Sequence, residues 1–299
     1  MTDEYETVVD PAGFITIKNK PTLEELTKYY HEHYFSDDAL RPLNYQESYD
    51  EQEIEHINLT NDLCLHSLTQ ARNKWKENPG TMLEVGVGEG FTMSRAKQKG
   101  WKVTGVDFSN EGISKFNPEL LNDVKIGNAF DILEDFVKQE KKFDVCIMRF
   151  MLEHVLDPRK ILENLNSLLN DNGIIVITIP NDFSKTQMKA LELGYFKKKF
   201  WIAPPEHLNY FNFDNFQKFM KEMNFQIKEL YSSFPIDFFI FHPGSNFISD
   251  KKNGKPAHRA RINLELLMAK EGIDNYYNLC KEFANCKVGR TITALIESK

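Results

Sequence analysis

An α/β fold built around a largely parallel sheet is predicted by three observations on this chain of 299 residues. Strand and helix patterns alternate through its middle, a glycine-rich turn joins the first of those strands to a helix, and acids stand at the ends of the first two strands. Strands are expected at 81–85, 101–106, 124–127, 143–148 and 173–179, and two more at 225–231 and 290–297. The turn is Leu83-Glu84-Val85-Gly86-Val87-Gly88-Glu89-Gly90, leading into a helix at Phe91. Its glycines let the backbone turn tightly and approach a ligand, while the helix N-terminus offers free N–H groups. A dinucleotide fingerprint would need a third glycine where Phe91 stands. Glu84 would face a diphosphate badly and suits a ligand carrying an ammonium group. Asp107 closes the second strand 23 residues after Glu84 and can accept two hydrogen bonds from a ribose diol. It can also cap the helix that follows.

Before residue 80 the pattern changes. A short strand is expected at 14–17, a helix start at Pro21-Thr22-Leu23-Glu24-Glu25-Leu26, and a long helix from about 50 to 76. Asn78-Pro79-Gly80 then punctuates the entry to the alternating region. The expected organisation is a helical extension or lid over 1–79 and a core over 80–299. Two stretches, about 181–212 and 233–287, exceed a minimal core and are expected to shape the substrate site.

Composition narrows the partners. A formal charge of −7 leaves no basic face for general nucleic-acid binding. Cys64, Cys146, Cys280 and Cys286 form no C-x-x-C pair and no zinc spacing, so reduced thiols are expected. The N-terminus opens acidic and polar without a signal-peptide core, and no apolar run has the length of a membrane span. The expectation is a cytoplasmic protein acting on a small molecule, with homo-oligomerisation open.

The acid-x-Gly-x-Gly-x-Gly turn with Asp107 resembles the first motif of class I S-adenosylmethionine-dependent methyltransferases. The resemblance implies a Rossmann-like, seven-stranded sheet, mostly parallel, whose antiparallel last strand slots between the fifth and sixth. It also implies S-adenosylmethionine as cofactor, held by Glu84, Gly86, Gly88, Gly90, Asp107 and Phe108. Asn128, Ala129 and Phe130 resemble the segment beside the adenine ring, and Arg149 ends the fourth strand at the cofactor edge. After that strand, Leu152-Glu153-His154-Val155-x-Asp157-Pro158 resembles the small-molecule and ubiquinone-type branch. The Asn/Asp-Pro-Pro-Tyr turn of enzymes that methylate nucleobase amines is absent. Some relatives bind a divalent ion through Glu-x-x-Glu-His; the first Glu is Phe150 here, so no metal is expected.

Methyl transfer to a hydroxyl needs a base, and histidine titrates in the right range. His207, in Pro204-Pro205-Glu206-His207-Leu208-Asn209-Tyr210-Phe211, resembles a stretch of the same branch and is the first candidate; His154 is the second. Either can instead be architectural, His154 as a helix cap and His207 as a pin for its loop. Tyr34 is a candidate lid contact, with Glu206 also on the substrate side. An aromatic strip at 234–241 followed by basic residues that include Arg259 and Arg261 can receive a sugar or base with a phosphate, or can be an oligomer contact and a solvated charge run. The lead Lys20-Pro21-Thr22-x-x-Glu25-Leu26-x-x-Tyr29-Tyr30 resembles methyltransferases of carbohydrate and surface-polysaccharide synthesis. That resemblance implies O-methylation of a sugar, nucleotide-sugar or glycan precursor. A quinone or lipid precursor as acceptor, or a non-catalytic cofactor-binding protein, are the competing classes.

Overall fold

The structure is a computed structural model and describes residues 5–33 and 49–299. Tyr34 lies outside the described residues. The chain opens with the strands β1 (Thr7–Val9) and β2 (Ile15–Ile17), then helix α1 (Leu23–His33). Helix α2 (Glu51–Ala71) starts at a capping box, with Asp50 accepting from the Glu53 N–H and the Glu53 carboxylate accepting from the Asp50 N–H. The alternating region follows as β3 (Thr81–Val85), α3 (Phe91–Gln98), β4 (Lys102–Asp107), α4 (Glu111–Phe116), β5 (Val124–Ile126), α5 (Ala129–Lys138), β6 (Phe143–Arg149), α6 (Pro158–Ser167) and β7 (Leu169–Pro180). The remainder is α7 (Lys185–Glu192), β8 (Asn209–Tyr210), α8 (Phe213–Glu222), β9 (Phe225–Tyr231), α9 (Gly254–Ala269), α10 (Ile273–Asn285) and β10 (Thr291–Ser298).

Seven strands form one sheet in the order β5-β4-β3-β6-β7-β10-β9. β3 to β7 run parallel, and β10 pairs antiparallel with both β7 and β9. The alternation of side chains explains why these strands read as nearly unbroken apolar runs. Met82, Val145, Ile147, Ile174, Val176 and Leu295 face α2 and α10, while Leu83, Val85, Cys146, Met148, Ile175 and Ile177 face α5, α6 and α8. Both faces are covered, so neither can be polar. The strand order reverses between β3 and β6, which opens a crevice at their C-terminal ends.

The long insertion after β9 divides. Its aromatic start, Ile236–Phe241, is a 3-10 turn beside α7, with Ile240 buried and Phe238 exposed. α9 and α10 instead pack on α2, and α10 supplies part of the helical layer over the sheet. α2 belongs to that layer too, so the second half of the N-terminal extension is structurally part of the core.

A second, three-stranded antiparallel sheet, β1-β2-β8, joins the N-terminus to the first insertion. Its joint is the fully buried Asn209, whose amide is used on every side. Oδ1 accepts from Lys20 Nζ at 3.0 Å and Thr16 Oγ1 at 3.2 Å, and Nδ2 donates to the carbonyls of Val155 at 2.7 Å and Leu152 at 3.2 Å. The Glu153 carbonyl accepts from both the Leu208 and Asn209 N–H groups. The loop after β6 is thereby sewn to the segment before β8. Asn209→Ala strands two buried carbonyls and removes one of the Lys20 ammonium's acceptors, so unfolding in urea should show a loss of about 2 to 4 kcal/mol. Asn209→Ala with an unchanged midpoint would show that this joint carries no stability.

Candidate active site

The turn after β3 has the shape its glycines allow. Gly86 and Gly88 sit at φ +81° and +56°, a region that L side chains rarely occupy. A Cβ on Gly86 would come within 2.5 Å of the Met151 side chain, whereas the space over Gly88 is open. Gly105, in the middle of β4, contributes from below: a Cβ there would lie 2.6 Å from Val87 and 2.7 Å from Met93. Gly90 is the N-cap of α3. Tyr49 closes one flank of the turn, with its hydroxyl on both Glu89 carboxylate oxygens and its ring against Phe91 and Phe116.

Two acids stand at the strand ends as expected. Asp107 accepts from the Gly88 N–H at 2.8 Å and the Ser109 N–H at 3.0 Å, one bond per oxygen, leaving a lone pair on each. It ties the glycine turn to β4 and does not cap α4. Glu84 is buried, and its Oε2 has no hydrogen-bond partner among the described residues. Burial pushes its carboxyl up to about 7, opposed by the nearby Arg149 guanidinium and by Thr92. Arg149 is committed to the protein, donating to Asn61 Oδ1 at 2.7 Å and Thr92 Oγ1 at 3.3 Å. Through Nη1 it ties the end of β6 to α2 and α3 beside Glu84. Asn128 caps α5 by accepting from the Phe130 N–H at 2.8 Å, so its Nδ2 is the group left to meet a ring. Ala129 begins α5, and Phe108 projects at the crevice rim with its side chain exposed.

Across the crevice, β6 ends in Phe150, which adopts φ +53° and is exposed. For a bulky residue this is a strained backbone, of the kind that collects at functional sites. The chain then turns back through Glu153 and His154. The Asn209 joint brings His207 opposite, and the two imidazoles meet edge to face with ring centres 4.9 Å apart. Each keeps 25% of its side chain accessible, and each has a buried carboxyl behind it. Glu153 Oε1 lies 3.7 Å from His154 Nε2, and Asp182 Oδ2 lies 3.9 Å from His207 Nδ1. His154 Nδ1 is 2.6 Å from the Glu206 carbonyl and must carry the proton, leaving Nε2 as the basic nitrogen. Tyr29 on α1 donates to Glu206 Oε1, so Glu206 anchors the N-terminal helix over this corner.

The electrostatics keep both imidazoles neutral. Burial and the neighbouring His207 hold His154 down near 4, and burial with the Arg290 guanidinium holds His207 below its ordinary value. Burial pushes Glu153 up to about 8. Asp182 and Asp237 are also raised by burial, against the pull of Arg290. Glu153, His154 and His207 offer one ligand atom each within 4.8 Å, so they are the described residues that could hold a divalent ion. As a donor set they are poor: the only carboxyl is held neutral by burial, and Phe150 brings no second one.

Arg259 and Arg261 are not free for a phosphate. Arg259 pairs with Asp50 and Glu53 at the start of α2, and Arg261 pairs with the buried Glu265. Arg259 thus ties α9 to the start of α2, while the Arg261 pair lies within α9. Asp182, Arg290 and Asn209 were not singled out from sequence, and Glu153 was weighed only as half of a weak metal site with His154. Asp182 had a usable signal, since it follows the C-terminal end of a parallel strand as Glu84 and Asp107 do. Arg290 reaches the same edge because β10 runs the other way, with Thr291 opposite Pro180.

Comparison with known proteins agrees with this geometry. A family model described as a methyltransferase domain matches residues 54–230. A ubiquinone biosynthesis O-methyltransferase of Actinobacillus pleuropneumoniae serotype 5b is 30% identical over 170 residues, 52% of this chain and 72% of the relative. The one from Pelagibacter ubique is 25% identical over 227 residues, covering 70% of this chain and 89% of the relative. The plantazolicin methyltransferase BpumL, solved in complex with SAH, superposes with a TM-score of 0.52 over 92% of this chain and 98% of its own, at 17% identity. That last likeness shows the shared fold. The crevice fits S-adenosylmethionine by its own residues, through the unpartnered oxygen of Glu84, the open space over Gly88 and the spare lone pairs of Asp107. With the glycine turn, the strand order and the matched span in agreement, the chain belongs to the methyltransferase-domain family and is an S-adenosylmethionine-dependent methyltransferase.

Proposed function

We propose that this enzyme methylates a hydroxyl group on a small, uncharged ring acceptor, with His207 as the base. The observation that carries the proposal is the pair of neutral, part-exposed imidazoles beside the crevice, each backed by a buried carboxyl. S-adenosylmethionine supplies an electrophilic methyl group when bound. On this reading Glu84 takes the ammonium, Asp107 the ribose diol, Phe108 and the Asn128–Phe130 segment the adenine side. The remaining work is to orient the acceptor, exclude water and take the hydroxyl proton. His207 Nε2 receives that proton, and His154, whose Nδ1 proton is fixed by Glu206, orients the acceptor through Nε2. On the His207 side the part-exposed Phe183 ring, backed by the buried rings of Trp201 and Tyr210, suits a flat ring or the apolar face of a sugar.

The relatives' names favour a phenolic acceptor of the ubiquinone type. The phosphate-bearing sugar loses its anchor, because Arg259 and Arg261 are paired within the protein. A sugar without phosphate is the second reading, favoured by the unpartnered buried atoms Gln187 Nε2 and Asp237 Oδ1 near the site. A panel of catechols, methyl glycosides and nucleotide-sugars with labelled S-adenosylmethionine separates these readings. Transfer confined to nucleotide-sugars, or to amines, would sink the proposal.

Four outcomes are expected. Asp107→Ala should weaken S-adenosylmethionine binding by about 1.5 to 3 kcal/mol in calorimetry, since two charge-assisted hydrogen bonds are lost. His207→Ala should leave that affinity nearly unchanged and slow turnover by roughly 100-fold or more. The acid limb of the parent's pH–rate profile should be centred below pH 6.5, because a lowered imidazole pKa keeps the base form at lower pH; an acid limb centred above 6.5 would contradict a neutral, buried His207. Finally, turnover should survive exhaustive chelation, as the donor set around Glu153 is uncharged. Loss with a chelator and recovery with magnesium or zinc would instead make Glu153, His154 and His207 metal ligands.

A further inference from the structure

We propose that Asp182 is a positioning residue for His207, clamped by Arg290 so that the imidazole carries its proton on Nδ1 and presents Nε2 to the acceptor. This rests on the reading of His207 as the base. Three features of the geometry support it.

The first is how the Asp182 carboxylate is shared. Arg290 and a carboxylate commonly meet as a two-toothed fork. Here a single guanidinium nitrogen, Nη1, donates to Oδ1 at 3.1 Å and also to the Asn181 carbonyl at 3.3 Å. The other oxygen, Oδ2, is the one turned toward His207 Nδ1 at 3.9 Å. The Gln187 side chain also lies against this carboxylate, so Asp182 is held from two sides while Oδ2 faces the imidazole.

The second is rigidity behind and latitude in front. The Asp182 N–H donates to the Phe211 carbonyl at 2.7 Å, and the Asn181 N–H donates to the Arg290 carbonyl at 2.9 Å. Asn181 Nδ2 donates to the Gly289 carbonyl at 2.8 Å, and the Asp182 side chain is 1% exposed. The His207 main chain is held as well, with its N–H on the Ala203 carbonyl and its own carbonyl accepting from the Tyr210 hydroxyl. Its ring, a quarter accessible, needs to swing about 1 Å to bring Nδ1 into hydrogen-bond range of Oδ2.

The third is the contrast between the two histidines. The tautomer of His154 is set by a main-chain carbonyl. His207 Nδ1 is buried without a hydrogen-bond partner among the described residues, and the Asp182 carboxylate is the acid beside it. An imidazole whose proton sits on the wrong nitrogen cannot act as a base through the right one.

The test is nuclear magnetic resonance of the full chain with nitrogen-labelled histidine, at neutral pH and with S-adenosylhomocysteine bound. The His207 signals are assigned by their loss in His207→Gln. In the parent, the Nδ1–H form of His207 should outweigh the other at least about tenfold, as a hydrogen bond to a charged group warrants. Asp182→Asn should abolish that excess while S-adenosylhomocysteine affinity stays within about twofold, since the glycine turn is built from other segments. An Nε2–H form dominating in the parent overturns the proposal, and so does an unchanged tautomer in Asp182→Asn. Because the parent measurement decides alone, a variant that fails to fold does not shelter the idea. The readout needs no acceptor, so a His207→Ala variant with undiminished turnover would remove the base assignment and leave the tautomer result standing.

Discussion

The side chain of Asn209 fixes where everything on the acceptor side can be. It sits at zero exposure, and its four hydrogen bonds join its own segment to two other pieces of chain. The loop after β6 carries Glu153 and His154, the segment before β8 carries Glu206 and His207, and β2 with Lys20 brings in the N-terminus. Apolar packing could press these pieces together but would not define their register, because it has no direction. A buried amide does, since any slip leaves polar groups unpaired at 1 to 3 kcal/mol each, roughly. The edge-to-face meeting of two imidazoles follows from that registration.

Around the joint, the protein tolerates an unusual density of buried acid. Glu153, Asp182 and Asp237 surround the single guanidinium of Arg290, and Glu84 lies buried near Arg149 across the crevice. Desolvation resolves part of the conflict by raising carboxyl pKa values, so Glu153 need not be ionised at neutral pH. The same desolvation lowers the imidazoles. Burial therefore pushes acids and bases toward their neutral forms together, which leaves the histidines as lone-pair bearers and Glu153 as a hydrogen-bond donor. A site of this kind suits the removal of a proton from a neutral hydroxyl and suits an anionic acceptor poorly.

The cofactor half was legible in the sequence because its information is local. Glu84 to Gly90 form one turn, and Asp107 meets that turn through a single neighbouring strand, so spacing alone places both. The alternation that predicted a parallel sheet also held, since strands buried on both faces must be apolar throughout. The protein partners of Arg149, Asn61 and Thr92, were not foreseen, because they lie on helices whose packing no local pattern reveals. The basic residues at 259 and 261 looked available for phosphate for the same reason: their counter-charges lie some two hundred positions away or on the next helical turn. Charge runs disclose a face, and the fold decides what that face meets.

The acceptor half was legible only in its residue types. His154 and His207 could be picked out, but nothing in spacing said that their rings would touch, or that Asp182 and Arg290 would stand behind one of them. Those contacts depend on β10 entering the sheet against the direction of its neighbours, which carries Arg290 to the edge where β7 ends. The two halves therefore have different freedom to change. Altering the glycine turn breaks a compact local motif and with it cofactor binding. The acceptor corner is assembled from the N-terminus, two insertions and the last strand, elements held to one another by side-chain hydrogen bonds. The N-terminus and the insertions can be lengthened or exchanged while the sheet keeps its order, which is a physical reason for one methyl donor to be kept while acceptors diverge.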